Sequence, residues 1–385
     1  MKIIHISDLH IGRKLNGYSL ASDQKYILER IVSDVKAEKP DAVVIAGDVY
    51  DKSAPTAEAV KLLDKFLDEL EDVPVMLISG NHDSADRLSF GSDRFRKSGL
   101  YIKGGFEGTP EPVTLSDEYG EVNFYLLPYT RVADINTVYN TEFTDYTEAF
   151  SYVIGKISPD TSKRNVMVAH QYVAGAELSE SETSIGGIDC ISADVFEIFD
   201  YTALGHIHRP QNVRGERIRY CGTPLKYSIS EIGQDKSYSI IELGRKAPGE
   251  SYCDINITRV PLEPERDIVE IKASFDELMT AGHDENGIVS EDFISVVLTD
   301  KVEVPDAVSY LRKPYPNILS VKRETEYSQD FSDELFSGGG TERDPLELFS
   351  EFYSLQHNGE EMEEKQSEIL KKAIAEIWGD KNETA

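Results

Sequence analysis

Five short apolar runs in this chain each end on residues that bind metal ions, and that recurrence limits the possible fold more than any other feature. Lys2-Ile3-Ile4-His5-Ile6 leads to Asp8-Leu9-His10, and Val43-Val44-Ile45 leads to Gly47-Asp48. Val75-Met76-Leu77-Ile78 leads to Gly80-Asn81-His82-Asp83, Val166-Met167-Val168 to His170, and Thr202-Ala203-Leu204 to Gly205-His206-Ile207-His208. Runs of this length, bounded by glycine and polar residues, read as buried strands. A single histidine after a strand is more often a hydrogen-bonded, partly buried residue than a ligand; repetition at five strand ends reverses that weighting. The chain therefore reads as a scaffold that brings these residues to one place.

The intervening segments supply the covering layers. Ile27, Ile31 and Val35 recur at helical spacing, and Val60, Leu63, Leu67 and Leu70 form a second stripe after Pro55, which suits a first helical turn. Asp8 and His10 flank Leu9, and an extended backbone there points both side chains into the same pocket. Gly47 lets the backbone turn sharply, presenting Asp48 at the strand tip. Residues 122–127 read as a strand and 134–152 as a loop plus helix, while strands at 238–243 and 253–260 close the sheet layers.

A chain of 385 residues predicts two or more units. Residues 1–262 carry the whole donor set. Residues 263–325 alternate strand-like and helical stretches, with Ser274 and Glu277 spaced as a capping box, and hold no donor cluster, as expected of a small α/β cap or specificity module. Residues 326–344, with Gly338-Gly339-Gly340, read as a flexible linker. Residues 345–379 read as a helical hairpin with an apolar stripe through Leu346, Phe349, Tyr353, Ile369 and Ile377. Lacking a core of its own, such a hairpin docks on something else.

Charge restricts the partners. A net charge of −30 opposes indiscriminate binding to polyanions, and residues 324–385, with 17 Asp and Glu against 5 Lys and Arg, should not touch DNA. Arg87, Arg94, Arg96 and Lys97, set among Leu88, Phe90 and Phe95, suit either phosphate contact or a solvated helix face. Cys190, Cys221 and Cys253 are widely spaced and form no C-x-x-C pair, which argues against a disulfide framework and a structural zinc knuckle. No apolar run has the length of a membrane span, and the chain enters a strand at residue 2 without a signal-like segment, so a cytoplasmic location is expected.

Asp8, His10, Asp48, Asn81, His170, His206 and His208 offer carboxylate, amide and imidazole donors, sufficient for two metal ions if one carboxylate bridges them. Mixed nitrogen and oxygen ligation without sulfur favours manganese, iron or zinc. Two divalent ions roughly 3.5 to 4 Å apart suit in-line displacement at phosphorus, and their charge attracts phosphate despite the acidic chain. His82 is the spare imidazole, placed to polarise the phosphate or protonate the leaving oxygen. Asp83 either orients that ring or stabilises the turn.

This series, Asp8-x-His10, Gly47-Asp48, Gly80-Asn81-His82-Asp83, His170 and Gly205-His206-x-His208, resembles the full motif set of the calcineurin-like metallophosphoesterases. Gly47-Asp48-Val49-Tyr50-Asp51, His206-Ile207-His208-Arg209-Pro210, Cys221-Gly222-Thr223-Pro224 and Asp344-Pro345-Leu346 resemble the bacterial DNA-nuclease subunits of that superfamily over nearly the whole chain. The resemblance implies a β-sandwich flanked by helices, with Asp8, His10, Asp48 and His208 holding one manganese ion and Asp48, Asn81, His170 and His206 the other. His82 takes the catalytic position. Asp51 stands where archaeal and eukaryotic relatives carry histidine, and fits the bacterial branch. A manganese-dependent nuclease for double-stranded ends and hairpins is implied, with roles in DNA repair, recombination and replication. So are a homodimer through the helices after the second and third motifs and an ATPase partner that receives the C-terminal hairpin. The alternatives are a small-nucleotide phosphodiesterase on the same two-metal core, and a non-enzymatic scaffold subunit, which a missing ligand would have favoured.

Overall fold

Along the central strands, successive side chains enter two different cores. In the computed structural model, which describes residues 1–179, 182, 190–284, 286–324, 346, 349–350, 353–354, 362 and 364–378, β1 (Lys2–Ile6) is followed by a small ribbon of β2 (Lys14–Leu15) and β3 (Tyr18–Ser19), and β1, β4 (Ala42–Ala46) and β5 (Val75–Ile78) lie parallel. Ile4, Ile6, Val43, Ile45, Val75 and Leu77 face helices, while Ile3, Val44, Ala46, Met76 and Ile78 face a second sheet. A strand covered on both faces has no polar alternate positions, which is why these segments read as unbroken apolar runs.

The first sheet has the order β14-β13-β1-β4-β5-β6, adding β6 (Leu100–Lys103), β13 (Ser237–Leu243) and β14 (Ile255–Pro261). The second runs β11-β12-β10-β9-β8-β7, from β7 (Val113–Asp117), β8 (Gly120–Leu127), β9 (Arg164–His170), β10 (Tyr201–Gly205), β11 (Gln211–Arg214) and β12 (Ile218–Tyr220). Both expected late strands, 238–243 and 253–260, fall in the first sheet, where β13 runs antiparallel beside β1 and β14 forms the edge. Strands β6, β7, β11 and β12 left no comparable apolar run in the sequence; β11, at an edge, alternates half-buried and exposed residues.

Helices α1 (Ala21–Glu38) and α2 (Ala57–Asp68) cover the first sheet, with Ile27, Ile31, Val35, Leu63 and Phe66 in its outer core. Two short helices, α3 (Ala85–Leu88) and α4 (Ser92–Phe95), lead into β6. Over the second sheet lie α5 (Val132–Tyr139) and α6 (Tyr146–Ile157), two helices where the sequence suggested a loop and one. Asn140 ends the first in the left-handed region (φ 53°), and the Asp145 carboxylate caps the second by accepting from Glu148 N at 2.8 Å. The result is a helix–sheet–sheet–helix sandwich.

A separate parallel sheet of three strands, β15 (Ile268–Ala273), β16 (Phe293–Leu298) and β17 (Ile318–Arg323), packs its own core with α7 (Phe275–Thr280) and α8 (Ala307–Leu311). Ser274 and Glu277 form the capping box reciprocally. This unit rests on the sandwich through Arg266 on Asp23 (2.9 Å), Lys226 on Asp267 (2.8 Å) and the Tyr18 hydroxyl on Pro316 O (3.1 Å). The expected linker, 326–344, and most of the first helix of the expected hairpin lie outside the described residues; Glu364–Trp378 is helical. No helix among the described residues is long and apolar enough to cross a membrane.

Candidate metal centre

All five donor-bearing strands, β1, β4, β5, β9 and β10, discharge at the same end of the sandwich, three from one sheet and two from the other. Beyond β1 the backbone is not extended as expected: Asp8 and His10 both lie in the left-handed region (φ 52° and 43°), as does Asp48 (φ 46°). Two backbone hydrogen bonds, Asp8 N to Gly47 O at 3.0 Å and His10 N to Asp48 O at 2.9 Å, tie these loops together and hold the turned conformation. Non-glycine residues in that region carry strain that concentrates at functional sites. Gly47 (φ 89°) passes so close to His170 that a Cβ there would lie 2.2 Å from its Nδ1, and a Cβ on Gly80 would lie 2.1 Å from Asp48 Oδ1.

Asp48 is the hub. Its Oδ2 is 3.4 Å from His170 Nε2 and 3.6 Å from His10 Nε2, while its Oδ1 accepts from His82 N at 2.9 Å. Asp8 Oδ1 accepts from His206 N at 2.9 Å, and Asn81 Oδ1 sits 3.1 Å from His170 Nε2 and 3.0 Å from His206 Nδ1. The His208 ring lies 5.1 Å from that of His10. All seven donors expected from the sequence are thus gathered. Asp8, His10, Asp48 and His170 are buried, His206 and His82 are half-buried and Asn81 is exposed, so the centre opens on the Asn81 side.

His82 and Asp83 part company. The His82 Nδ1 lies 2.9 Å from the carbonyl oxygen of Asp51, which orients the ring. The Asp83 carboxylate instead accepts from the backbone N–H groups of Val49 (3.0 Å), Tyr50 (2.8 Å) and Gly80 (2.9 Å). Of the two roles considered for Asp83, its contacts are those of the turn; the ring-orienting role belongs to Asp51. The Asp51 side chain, 2.8 Å from Arg13 Nη1, also lies with His10 and His82 in a second group of donors within 4.8 Å of one another, beside the group Asp8, Asp48 and His170. Sequence reasoning also passed over Glu231 against His208 and Tyr129 stacked on His206, with ring centres 6.3 Å apart. Neither belongs to a local motif, and only chain folding brings them here.

Burial and charge set the protonation of these groups. Burial raises the Asp8 carboxyl to about 6, against the pull of His170. Burial lowers His10 well below its ordinary value and, with His170 adjacent, lowers His206 to about 3. For His170 burial works the same way, yet Asp48 outweighs it and lifts the imidazole to about 9. Burial favours a neutral Asp48, but His170 and the other imidazoles hold its carboxyl far below the usual range. Neither ring nitrogen of buried His10 has a hydrogen-bond partner among the described residues. Buried imidazole nitrogens without partners, converging with carboxylate and amide oxygens and no sulfur, fit divalent metal ions.

The profile of the calcineurin-like phosphoesterases matches residues 1–210, and the chain belongs to that family of metal-dependent phosphoester hydrolases. Residues 264–357 match a further family, described as the type 5 capsule protein repressor C-terminal domain. At the level of particular proteins, the chain is 33% identical over 341 residues to the SbcD subunit of the SbcCD nuclease of Staphylococcus epidermidis, an alignment covering 86% of this chain and 88% of that protein. Solved structures similar to it include a dimetal phosphatase from Danio rerio (14% identity, 68% of this chain and 96% of that one, TM-score 0.41). The phosphoesterase Yfce from E. coli is 14% identical, over 68% of this chain and all of that one, with a TM-score of 0.26.

Proposed function

We propose that this chain is the nuclease subunit of an SbcCD-type complex: a manganese-dependent DNA nuclease, exonucleolytic on duplex ends and endonucleolytic on single strands and hairpins. It acts in DNA repair, recombination and replication, as a cytoplasmic homodimer joined to two copies of the ATPase subunit SbcC. The observation that carries this reading is the reach of the similarity: it extends over 86% of the chain, past the phosphoesterase unit and into the C-terminal region. A stand-alone enzyme for small phosphodiesters has no need of those appended segments.

In this reading Asp8, His10, Asp48 and His208 hold one divalent ion and Asn81, His170 and His206 the other, with Asp48 shared. Its Oδ2, within 3.6 Å of imidazoles on both sides, supports that shared position. When bound, two such ions supply Lewis-acid stabilisation of the charge that builds on the phosphoryl oxygens. His82 handles the proton. Because the Asp51 carbonyl only accepts, His82 Nδ1 carries a hydrogen, and the exchangeable proton resides on Nε2. As a water oxygen bonds to phosphorus and the bond to the leaving oxygen breaks, His82 would give its Nε2 proton to that oxygen and recover one from the proton that the water sheds. Asp83 keeps the His82 loop in place by holding the three N–H groups of the turn.

The test is cleavage of end-labelled duplex DNA by the purified protein in Mn²⁺, with and without the ATPase partner, beside a panel of small phosphodiesters. DNA cleavage with little turnover of the small substrates is expected. Rapid turnover of a small phosphodiester, with DNA untouched even when the partner is present, overturns the nuclease assignment and leaves the phosphoesterase chemistry intact.

A further inference from the structure

Glu231 lies in a three-residue 3-10 turn, Ile229–Glu231, with its side chain wholly buried. A buried carboxylate is costly unless paired and hydrogen-bonded, so its partners define its use. Oε1 is 2.9 Å from His208 Nδ1; Oε2 is 2.6 Å from Lys236 Nζ and accepts from Tyr227 N at 3.2 Å. Lys236, itself only 5% exposed, donates a second hydrogen bond to the carbonyl oxygen of His208 at 3.0 Å. The same carbonyl receives Thr223 N at 3.1 Å. His208 is therefore gripped at its ring by Glu231 and at its backbone by Lys236, and the two gripping groups are paired with each other.

We propose that Glu231, anchored by Lys236, is a positioning residue that holds His208 as its Nδ1–H tautomer and leaves Nε2 free to bind metal. A carboxylate bonded to lysine only accepts, so the shared hydrogen sits on the imidazole Nδ1. The negative charge also makes the imidazole a better donor than a neutral acceptor would. The contrast with His170 is direct: its Nδ1 faces a backbone carbonyl, Ala46 O, at 2.8 Å, an acceptor no substitution removes. Among the ligand imidazoles of the described residues, that at 208 has its Nδ1 hydrogen-bonded to a carboxylate, whereas His206 Nδ1 faces Asn81 Oδ1, so the effect of losing Glu231 falls on the ion held with Asp8 and His10. This inference rests on the reading of His208 as a ligand.

The experiment compares Glu231→Gln and Lys236→Met with His208→Ala in the full-length protein. It measures the number and affinity of Mn²⁺ ions bound by calorimetric titration, and thermal unfolding before metal is added. Glu231→Gln is expected to weaken one of the two ions 10- to 100-fold and leave the other unchanged, with Lys236→Met in the same direction. If His208→Ala loses an ion while Glu231→Gln binds both as the unaltered protein does, the positioning role is overturned and the ligand reading stands. If His208→Ala itself binds both ions unchanged, the ligand reading fails and the inference with it. Should the variants not fold, ¹⁵N shifts of His208 in the unaltered metal-free protein decide: a protonated Nδ1 is expected, and an Nε2–H tautomer overturns the proposal.

Discussion

The Nδ1 of His170 lies 2.8 Å from the carbonyl oxygen of Ala46, and this contact joins the two sheets at the mouth of the metal centre. His170 ends β9 in one sheet and Ala46 ends β4 in the other. The carbonyl keeps a hydrogen on Nδ1 and turns Nε2 toward Asp48 and Asn81. In His170→Ala this buried acceptor loses its partner and Asp48 loses its nearest imidazole. The metal-free variant should be less stable by about 1–3 kcal/mol, measured by urea unfolding, and phosphoesterase activity should disappear.

Close approach at the strand ends leaves no space for even one methyl group. A Cβ at position 80 would stand 2.1 Å from Asp48 Oδ1 and 2.4 Å from its backbone nitrogen, and neither atom can retreat without undoing the centre. Gly80→Ala should cost about 1–3 kcal/mol and abolish high-affinity Mn²⁺ binding, as read by calorimetric titration.

His82 and Asp83 should separate experimentally as they do structurally. His82 is half-buried and its ring is tied only by Nδ1 to Asp51 O among the hydrogen bonds of the described residues, so His82→Gln should leave the melting temperature nearly unchanged. Its turnover should fall about 10²- to 10⁴-fold, the range of general acid catalysis. Asp83→Ala strips the acceptor from three backbone N–H groups and should instead lower stability by about 1–3 kcal/mol or more, with activity lost through the displaced turn.

Divalent metal should stabilise the fold. With the centre assembled only in the folded chain, Mn²⁺ at 100 times its dissociation constant should add about 2.7 kcal/mol for each ion bound, and EDTA should reverse the gain. Calorimetric melting temperatures at stepped Mn²⁺ concentrations check this.

Far from the centre, Asp117 should contribute to acid sensitivity. Burial pushes its carboxyl up, but the Arg164 guanidinium, at 2.9 Å through Nη1, outweighs burial and holds it well below the usual range. A depressed folded value stabilises the protein above the unfolded value of about 3.9, and the contribution fades as pH falls below that toward the folded value. The stability difference between the unaltered protein and Asp117→Asn should therefore be full at neutral pH and shrink as pH drops below about 4. Urea unfolding at stepped pH measures it.

Much of the centre was readable before folding because its information is local. Val43-Val44-Ile45 before Gly47-Asp48 and Val75-Met76-Leu77-Ile78 before Gly80-Asn81 are contiguous statements: a doubly buried strand must be apolar throughout, and a donor at its tip must interrupt the run. Helical stripes such as Ile27, Ile31 and Val35 are local in the same sense. The edge strand β11, which alternates half-buried and exposed residues, carries a weaker pattern and left no readable run.

What only tertiary structure decided concerns residues whose partners are remote in sequence. Asp83 had two plausible roles by spacing, and its position beside the Val49-Tyr50 turn, 33 and 34 residues away, chose between them. Asp8 and His10 converge through left-handed turns held by the loop after β4, not through the alternation of a strand. Glu231 looks like any acidic surface residue until the fold buries it against His208 and Lys236. The sequence by itself determined the buried central strands, the main helical stripes and which atoms are available to bind metal, because secondary-structure period and donor chemistry act over a few residues. The orientation of those atoms was decided by the fold, because hydrogen-bond direction and burial depend on groups that only packing brings into contact.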